Sequence, residues 1–292
     1  MHKSATQIGS MGVRASAYSR CIAQAATGTP QRGSVHSVFA AAANILFPGE
    51  FVLSLNASVA PHLPNGLHLS APAGAFPFSA LRPGMSVLFG ASRLHIEALA
   101  CSLDLTTCPQ WNPHIDHPST LNLHTLKENG ERLHKIVPYF AETEFIDIPH
   151  FARTLCGRGV GLTPTGDDVL AGWMAVGWLL YGPEPEFLAA CAQIMQVARE
   201  QTHLLSRCWL GYAAEGNVAL PIARLLEALA REPYEEGVEH TEHGKNRGNA
   251  ENNAQLEQVA QAVLALGATS GYDVICGILL GLEQFLEEKG GA

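Results

Sequence analysis

The sequence is poor in charged residues and has no long apolar run. Only 15% of its 292 residues are charged, and the formal net charge is −9 with histidine neutral. This balance argues against a broad basic surface for nucleic acid, which would need clustered Lys and Arg. The longest apolar runs, 169–181 and 274–282, are shorter than the ~20 residues of a membrane-spanning helix. We therefore expect no binding to nucleic acid and none to a membrane.

The cysteine patterns of secreted and zinc-binding proteins are also missing. The seven cysteines are odd in number and include no CxxC pair, whereas disulfide frames pair their cysteines and zinc ribbons space them in couples. The first residues contain no apolar core of a secretory signal. We therefore expect reduced thiols and a cytoplasmic protein.

Three enzyme signatures are absent. The sequence contains neither an HExxH zinc-protease motif nor a GxSxG nucleophile motif. Gly161 and Gly166 have the glycine spacing of a P-loop, but Asp167 and Asp168 stand where that motif needs Lys and Ser or Thr. Because two acids repel a nucleotide phosphate unless a cation intervenes, this pattern disfavours a Walker-type NTPase.

Hydrophobic residues make up 47% of the sequence, enough to bury a substantial core. In the segment 32–108, short runs rich in Val, Leu, Phe and Ser alternate with Pro and Gly turns, a pattern typical of an antiparallel β barrel or sandwich. The small, polar segment 1–31 precedes it, with a possible short helix over 15–26. The strand-like runs are 34–39, 51–56, 66–70, 86–89 and 94–99.

The rest of the chain is helical in character. Residues 109–118 contain three prolines and are interpreted as a linker to an α-helical domain over 119–292. Within that domain, the polar stretch 232–253 lacks hydrophobic anchors and predicts a mobile surface loop. The predicted fold class is therefore α+β, an N-terminal antiparallel barrel or sandwich followed by a helical bundle. The predicted helices are 119–137, 143–156, 168–181, 186–205, 217–231, 254–266 and 272–288.

One stretch combines a flexible loop, two acids and an apolar helix. Residues 157–168 read Gly-Arg-Gly-Val-Gly-Leu-Thr-Pro-Thr-Gly-Asp-Asp, and about a dozen mainly apolar residues follow. A second copy occurs near the C-terminus, where 270–277 (Ser-Gly-Tyr-Asp-Val-Ile-Cys-Gly) matches 165–172 in kind at every position except the third. A helix that is apolar all round is buried on most sides. The repeat therefore predicts two similar loop-to-helix entries whose acids lie at the start of buried helices.

The acids of this motif admit three interpretations. Asp167 and Asp168 can hold Mg²⁺ through oxygen ligands, with hydroxyls and helix-start amides meeting an anion beside it. They can instead accept hydrogen bonds from an amide or ureido NH₂ group. In the third interpretation they only cap the helix, since acids satisfy free amides and favour the helix dipole. The recurrence at Asp273 weighs against capping alone.

Three basic residues are further candidates. Arg153 and Arg158 precede the loop and can offer a fork for a carboxylate or phosphate, although solvated surface arginines fit equally well. His36, in the cluster 33–39, is a candidate catalytic residue, although a lone strand histidine is more often structural.

The string Gly-Leu-Thr-Pro-Thr-Gly-Asp-Asp-Val-Leu-Ala-Gly at 161–172 resembles the AllH-like family, as do 33–39 and 269–273. This resemblance implies a subunit of oxamate carbamoyltransferase that works with partner subunits. It further implies the phosphorolysis of oxalurate to oxamate and carbamoyl phosphate in allantoin breakdown. The chain lacks a Ser-Thr-Arg-Thr-Arg phosphate loop, so its site is built differently or is completed by another chain. The resemblance transfers a candidate site without individual roles: Thr163, Thr165, Gly166, Asp167, Asp168, Ser270, Gly271 and Asp273.

Three functions compete on this basis. The first is an enzyme subunit that handles a small ureido or carboxylate substrate with phosphate, with Arg153 or Arg158 assisting. The second is a non-catalytic ligand-binding or scaffold subunit whose acids serve the fold. The third is a stand-alone metal-dependent hydrolase that uses Mg²⁺ or Mn²⁺.

Overall fold

The computed structural model describes residues 13–71, 76–138, 147–232 and 242–290. The chain divides into two compact units, Met1–Pro113 and His114–Ala292. The first unit is a β sheet and the second is helical, so the predicted α+β class is confirmed.

The first unit is a curled sheet of nine strands in the order β8-β7-β6-β2-β3-β4-β5-β1-β9. Most neighbouring strands are antiparallel, but β4 pairs with β5 in parallel, and so does β1 with β9. One short helix, α1 (Ala23–Thr27), follows the first strand. The strands are β1 Ala15–Ser19, β2 Gln31–Val38, β3 Ala42–Leu46, β4 Val52–Asn56, β5 Gly66–Leu69, β6 Ser86–Gly90, β7 Arg93–Ile96, β8 Cys101–Asp104 and β9 Gln110–Trp111.

The core of this sheet comes from the apolar runs that the sequence displays. Ile45, Leu55, Leu67 and Val87 lie on different strands and are fully buried in one hydrophobic cluster. Burying a side chain of this size stabilises the fold by about 1.5–3 kcal/mol relative to exposure. The strands therefore form where apolar residues can meet from separate parts of the chain.

Two segments of this unit differ from expectation. Residues 15–19, predicted as the beginning of a helix, form β1, which pairs with the distant β5. Local preference for small residues in helices is outweighed by this long-range pairing. Only 20–27 are helical, and Gly28 follows that turn. The predicted linker 109–118 also contains β9, because Gln110 and Trp111 pair with β1.

The second unit consists of helices. None of the helices in the described part of the chain combines the length and apolar character needed to cross a bilayer. The helices are α2 Leu123–Ile136, α3 Ile148–Leu155, α4 Thr165–Tyr181, α5 Pro185–Gln201, α6 Leu204–Ala214, α7 Leu220–Ala230, α8 Glu242–Leu264 and α9 Ser270–Gly290.

One predicted helix ends early, one helix was not predicted, and one predicted loop is partly helical. The helix predicted over 186–205 ends at Gln201, because the backbone is extended at Thr202 and His203. The next helix, α6, begins at Leu204 and lies mostly in a stretch for which no helix was predicted. Of the predicted loop 232–253, residues 233–241 lie outside the described residues, whereas α8 already begins at Glu242. Leu256, Ala260 and Val263 bury the later part of α8, and extending a helix from an anchored turn is easier than starting one.

An aromatic cluster joins four helices around Trp173 of α4. Its ring centroid lies 5.7 Å from that of Phe151 on α3, 6.1 Å from Phe187 on α5 and 4.7 Å from Phe285 on α9. Such contacts add about 0.5–1.5 kcal/mol per pair beyond the burial of area. The cluster fixes the middle of α4. The first turn of α4 packs instead against the residues that precede it, 157–164, which we call the glycine-rich loop.

Helices α4 and α9 approach through matched glycines. A Cβ atom on Gly172 would lie 2.1 Å from the carbonyl oxygen of Val274, and one on Gly277 would lie 2.0 Å from that of Val169. Gly172 and Gly277 are equivalent positions of the sequence repeat, and so are Val169 and Val274. The contact is therefore reciprocal, as across a local two-fold axis.

A similar close approach occurs six residues earlier, at the start of each helix, where a glycine meets the preceding helix. A Cβ atom on Gly166 would lie 2.0 Å from the carbonyl oxygen of Leu155, at the end of α3. A Cβ atom on Gly271 would lie 1.9 Å from that of Val263, near the end of α8. Each repeat is thus a helix pair, α3–α4 or α8–α9, in which glycine allows the second helix to begin directly against the first.

Candidate functional site

The two repeats bring a pair of carboxyl groups together. Asp168 lies in the first turn of α4 and Asp273 in the first turn of α9, at equivalent positions of the repeat. Their exposed fractions are 8% and 6%. The hydroxyls of Thr163 and Ser270, which precede these acids, lie 2.8 Å apart. The starts of both helices therefore share one site, which we call the acid pair site.

Each acid keeps one oxygen without a partner. The Oδ2 atoms of Asp168 and Asp273 are buried and have no hydrogen-bond partner within the described residues. Buried polar atoms are nearly always hydrogen-bonded, because an unmade bond costs about 1–3 kcal/mol. The two atoms occupy equivalent positions of the repeat, and the described residues leave the hydrogen-bonding capacity of both unused.

The protonation of Asp168 is set by its surroundings. Burial raises the pKa of its carboxyl to about 7, because the charged form loses its hydration. Hydrogen bonds with the hydroxyls of Ser270 and Thr163 act in the opposite direction, and the charges of Asp273 and Asp167 raise the pKa further. Near neutral pH this carboxyl is therefore present both as an acid and as a carboxylate.

Asp167 has a different environment from its neighbour. Its Oδ1 accepts a hydrogen bond from the amide of Gly157 at 2.8 Å, and its Oδ2 accepts one from the Ser206 hydroxyl at 2.6 Å and another from the Thr202 hydroxyl. Both oxygens are occupied by groups from the glycine-rich loop and from the junction of α5 and α6. These bonds anchor the loop, so Asp167 positions the site and has no oxygen left over.

The glycine-rich loop needs its glycines for backbone reasons. Gly157 and Gly159 have φ angles of 71° and 117°, a region that side-chain-bearing residues rarely adopt. A Cβ atom on Gly157 would lie 2.2 Å from the carbonyl oxygen of Gln201, and one on Gly159 would lie 2.6 Å from the amide nitrogen of Thr165. The loop is thus held tightly against the first turn of α4.

The first amides of α4 are engaged within the chain. The Gly166 amide donates to the carbonyl of Arg158 at 2.9 Å, and the amides of Asp167 and Asp168 donate to the carbonyl of Pro164 at 2.9 and 3.1 Å. These amides do not point at an external anion. The geometry at this helix start therefore favours a ligand that donates hydrogen bonds over one that accepts them.

Comparison with protein families adds independent information. One family model, described as the AllH family N-terminal domain, matches residues 12–110. A second, described as oxamate carbamoyltransferase subunit AllH, matches residues 155–249. The chain belongs to the AllH family. No solved structure matches this chain.

The two AllH matches cover separate parts of the chain. The first covers the nine-stranded sheet up to β9, and the second begins at the end of α3 and includes the glycine-rich loop and Asp168. Asp273 lies beyond the second match. The acid pair site thus joins a part of the chain that the family description covers to a part that it leaves out.

The remaining candidates of the AllH resemblance are placed as follows. Gly166 and Gly271 are buried packing residues, as their close backbone contacts require. Thr165 and Arg158 are exposed near the start of α4, and Arg153 is exposed on α3. His36 is exposed on β2 of the first unit.

Neither the metal interpretation nor a thiol nucleophile gains support from the described residues. In the parts of the chain that the structure describes, no group of three or more His, Cys, Asp or Glu side chains could hold a metal ion. Burial and the nearby Asp167 raise the pKa of the Cys156 thiol to about 12, and burial also raises that of Cys276. At neutral pH both thiols are protonated and are poor nucleophiles.

The sequence did not reveal which hydroxyls hold Asp167. Thr202 and Ser206 looked like ordinary residues at a helix end, yet they supply two of its three hydrogen bonds. Helical spacing offered no signal, because Thr202 lies in the extended break after α5 and Ser206 lies in α6. Their partner could not be read, since it lies 35 and 39 residues away in the chain.

Proposed function

We propose that this chain is a carbamoyltransferase subunit that binds a small ureido compound and acts on it with phosphate. The reaction is the conversion of oxalurate and phosphate to oxamate and carbamoyl phosphate, in the breakdown of allantoin. The family description supports the enzyme class. The observation that carries the site is the acid pair, with two buried carboxyl oxygens that lack partners within the described residues.

A ureido group fits the acid pair by chemistry. Its NH₂ and NH hydrogens are donors, and buried donors need acceptors. The carboxyl oxygens of the pair supply acceptors, and a bond to an ionised carboxylate is stronger than one to a neutral group. A fully anionic group such as phosphate would be repelled there, so the acid pair binds the ureido end of the substrate.

The reaction itself requires positioning and a proton. An oxygen of phosphate forms a bond to the ureido carbonyl carbon, and the bond from that carbon to the nitrogen of oxamate breaks. Holding the ureido group by its NH donors turns its carbonyl carbon toward the incoming phosphate, and such orientation lowers a barrier by several kcal/mol. The departing nitrogen takes a proton and leaves as the amide of oxamate.

The anionic parts of the reactants need cations. Among the described residues, the charged groups that act on Asp168 are the carboxylates Asp273 and Asp167. Arg158 is exposed on the adjacent loop and is the candidate of this chain for the substrate carboxylate. Basic groups of partner subunits would hold the phosphate. The family is described as a subunit of oxamate carbamoyltransferase, which supports the presence of such partners.

The surface around the site is suited to such a partner. In the described part of the chain six large hydrophobic side chains are exposed, and three of them, Val160, Leu162 and Tyr272, lie on the two segments that carry the site. Val160 is 91% exposed on the glycine-rich loop. Apolar residues at the rim of a polar site are typical of an interface between proteins.

Calorimetric titration of the full chain with oxalurate, oxamate and phosphate tests the proposal. We expect oxalurate and oxamate to bind. Asp168→Asn and Asp273→Asn should each weaken binding by at least tenfold, because each substitution replaces one carboxyl oxygen, an acceptor, with the NH₂ group of an amide, a donor. Asp104→Asn, which changes an exposed carboxylate of β8, is the matched control and should bind as the parent does. Unchanged binding in folded Asp168→Asn and Asp273→Asn proteins would reject the site.

A further inference from the structure

We propose that Asp168 and Asp273 act as one acid–base unit that holds a single proton between the starts of α4 and α9. The catalytic part of this inference rests on the proposed function: the shared proton is the one that the departing amide nitrogen receives. The pair would then supply the chemistry of the step as well as the binding of the ureido group.

The first support is geometric. The reciprocal packing of Gly172 and Gly277 brings equivalent turns of the two helices together, and the acids occupy equivalent positions in those turns. Each acid is more than nine-tenths buried and has one unpartnered oxygen. Two carboxyl groups in a shared dry site cannot both ionise freely, so one proton stays with the pair.

The second support is the set of groups around the pair. On α4 the neighbouring charge is Asp167, and the Thr163 hydroxyl reaches the pair from the loop before it. On α9 the neighbours are the Ser270 hydroxyl and the Cys276 thiol, which acts on Asp273 electrostatically. The Tyr272 hydroxyl donates to the carbonyl of Pro138 and so lies outside the pair. Every ionisable group in this set is neutral or negative, which favours retention of one proton.

The proton then has a defined path. In the forward direction the phosphate oxygen bonds to the ureido carbonyl carbon, the bond from carbon to the oxamate nitrogen breaks, and the protonated carboxyl gives its proton to that nitrogen. Hydrogen phosphate gives up its proton to solvent as it becomes carbamoyl phosphate, and the pair, left with two negative charges, takes a proton from solvent before the next turnover. In the reverse direction the carboxylate removes a proton from the oxamate NH₂ as that nitrogen attacks carbamoyl phosphate. General acid–base catalysis of this kind contributes about 10²–10⁴-fold to a rate.

Infrared spectroscopy tests the shared proton without any activity. We expect the full chain to show the C=O absorption of a protonated carboxyl that disappears with a midpoint near neutral pH. Asp168→Asn removes that absorption near neutral pH. Asp273→Asn keeps a carboxyl at Asp168 but removes its negative neighbour, so the midpoint moves to lower pH. A midpoint that is the same in Asp273→Asn as in the parent overturns the shared unit, because an isolated buried carboxyl would behave in that way.

Activity of the assembled enzyme tests the catalytic part separately. We expect Asp168→Asn to lower kcat by at least 100-fold, and Asp273→Asn to shift the pH dependence of kcat toward lower pH. Asp104→Asn, the control on β8, should leave both unchanged. Unchanged ureide binding in both pair variants would reject the proposed function, whereas the proton unit stands if the infrared midpoint still shifts in Asp273→Asn. Full kcat in Asp168→Asn overturns the catalytic role even when the infrared results hold.

Discussion

Gly172 of α4 lies so close to the carbonyl oxygen of Val274 on α9 that a Cβ atom would come within 2.1 Å of it. Because the other atom is backbone, no side-chain rotation can relieve this contact. In the same way, a Cβ atom on Gly277 of α9 would lie 2.0 Å from the carbonyl oxygen of Val169 on α4. Contacts between the backbones of α4 and α9 therefore fix how the two helices are aligned along each other.

Gly172→Ala and Gly277→Ala should each destabilise the helical unit. Overpacking a tight site typically costs about 1–3 kcal/mol, and a backbone contact of this closeness falls at the upper end or beyond. Chemical denaturation followed by tryptophan fluorescence gives the free energy of unfolding. Gly211→Ala on α6 is the matched control, because its Cβ would meet nothing closer than Met195 Cε at 3.7 Å. This control should be neutral or slightly stabilising, since Ala favours helix over Gly. Equal losses in all three variants would contradict the role of the α4–α9 contact.

The stability of the helical unit should fall as pH rises toward neutrality because of Asp168. Its pKa is raised from 3.8 to about 7 by folding, so between these values the folded state binds a proton that the unfolded state has lost. Stability from this group is full below about pH 4 and is lost as pH rises through about 7. Unfolding measured from pH 5 to 8 should show a shallower loss in Asp168→Asn than in the parent. Glu283→Gln, which alters an exposed carboxylate of α9, should keep the slope of the parent.

Removing the Ser206 hydroxyl, one of the two that donate to Asp167, should loosen the glycine-rich loop. Ser206→Ala leaves the buried Oδ2 of Asp167 with one donor fewer, which we expect to cost about 1–3 kcal/mol. Thr154→Ala on the exposed side of α3 serves as the control and should change stability by no more than about 0.5 kcal/mol. Hydrogen exchange of the Gly157 amide reports the loop directly and should speed up only in Ser206→Ala. A protected Gly157 amide in that variant would argue against the anchoring role.

The rim of the acid pair site should be required for assembly with partner subunits. Val160→Glu places a charge on the most exposed apolar residue of the loop and should abolish co-purification of the subunits when they are expressed together. Leu188→Glu on α5 tests the same change at another exposed apolar residue and should leave assembly intact. A monomer that folds normally but fails to assemble supports the interface. Intact assembly of Val160→Glu would place the interface elsewhere.

Local patterns predicted the starts of α4 and α9 better than they predicted the sheet. The match between 165–172 and 270–277 is a feature of neighbouring residues, so it could be read directly, and both segments do begin buried helices. By contrast β1 depends on β5, and the break between α5 and α6 coincides with the bond from Thr202 to Asp167. Contacts between distant parts of the chain determine where β1 forms and where α5 ends, and the preferences of neighbouring residues do not reveal these contacts.

The third position of the repeat differs between the two halves. In the first half it is Asp167, held by three donors, and in the second it is Tyr272, 43% exposed, whose hydroxyl donates to the carbonyl of Pro138 at 3.0 Å. The two-fold resemblance is thus interrupted one residue before Asp168 and Asp273 and resumes at those acids. At this position the α4 half is tied into the interior by three donors, whereas the α9 half reaches the surface and is tied to the segment before α3 by a single donor of its own.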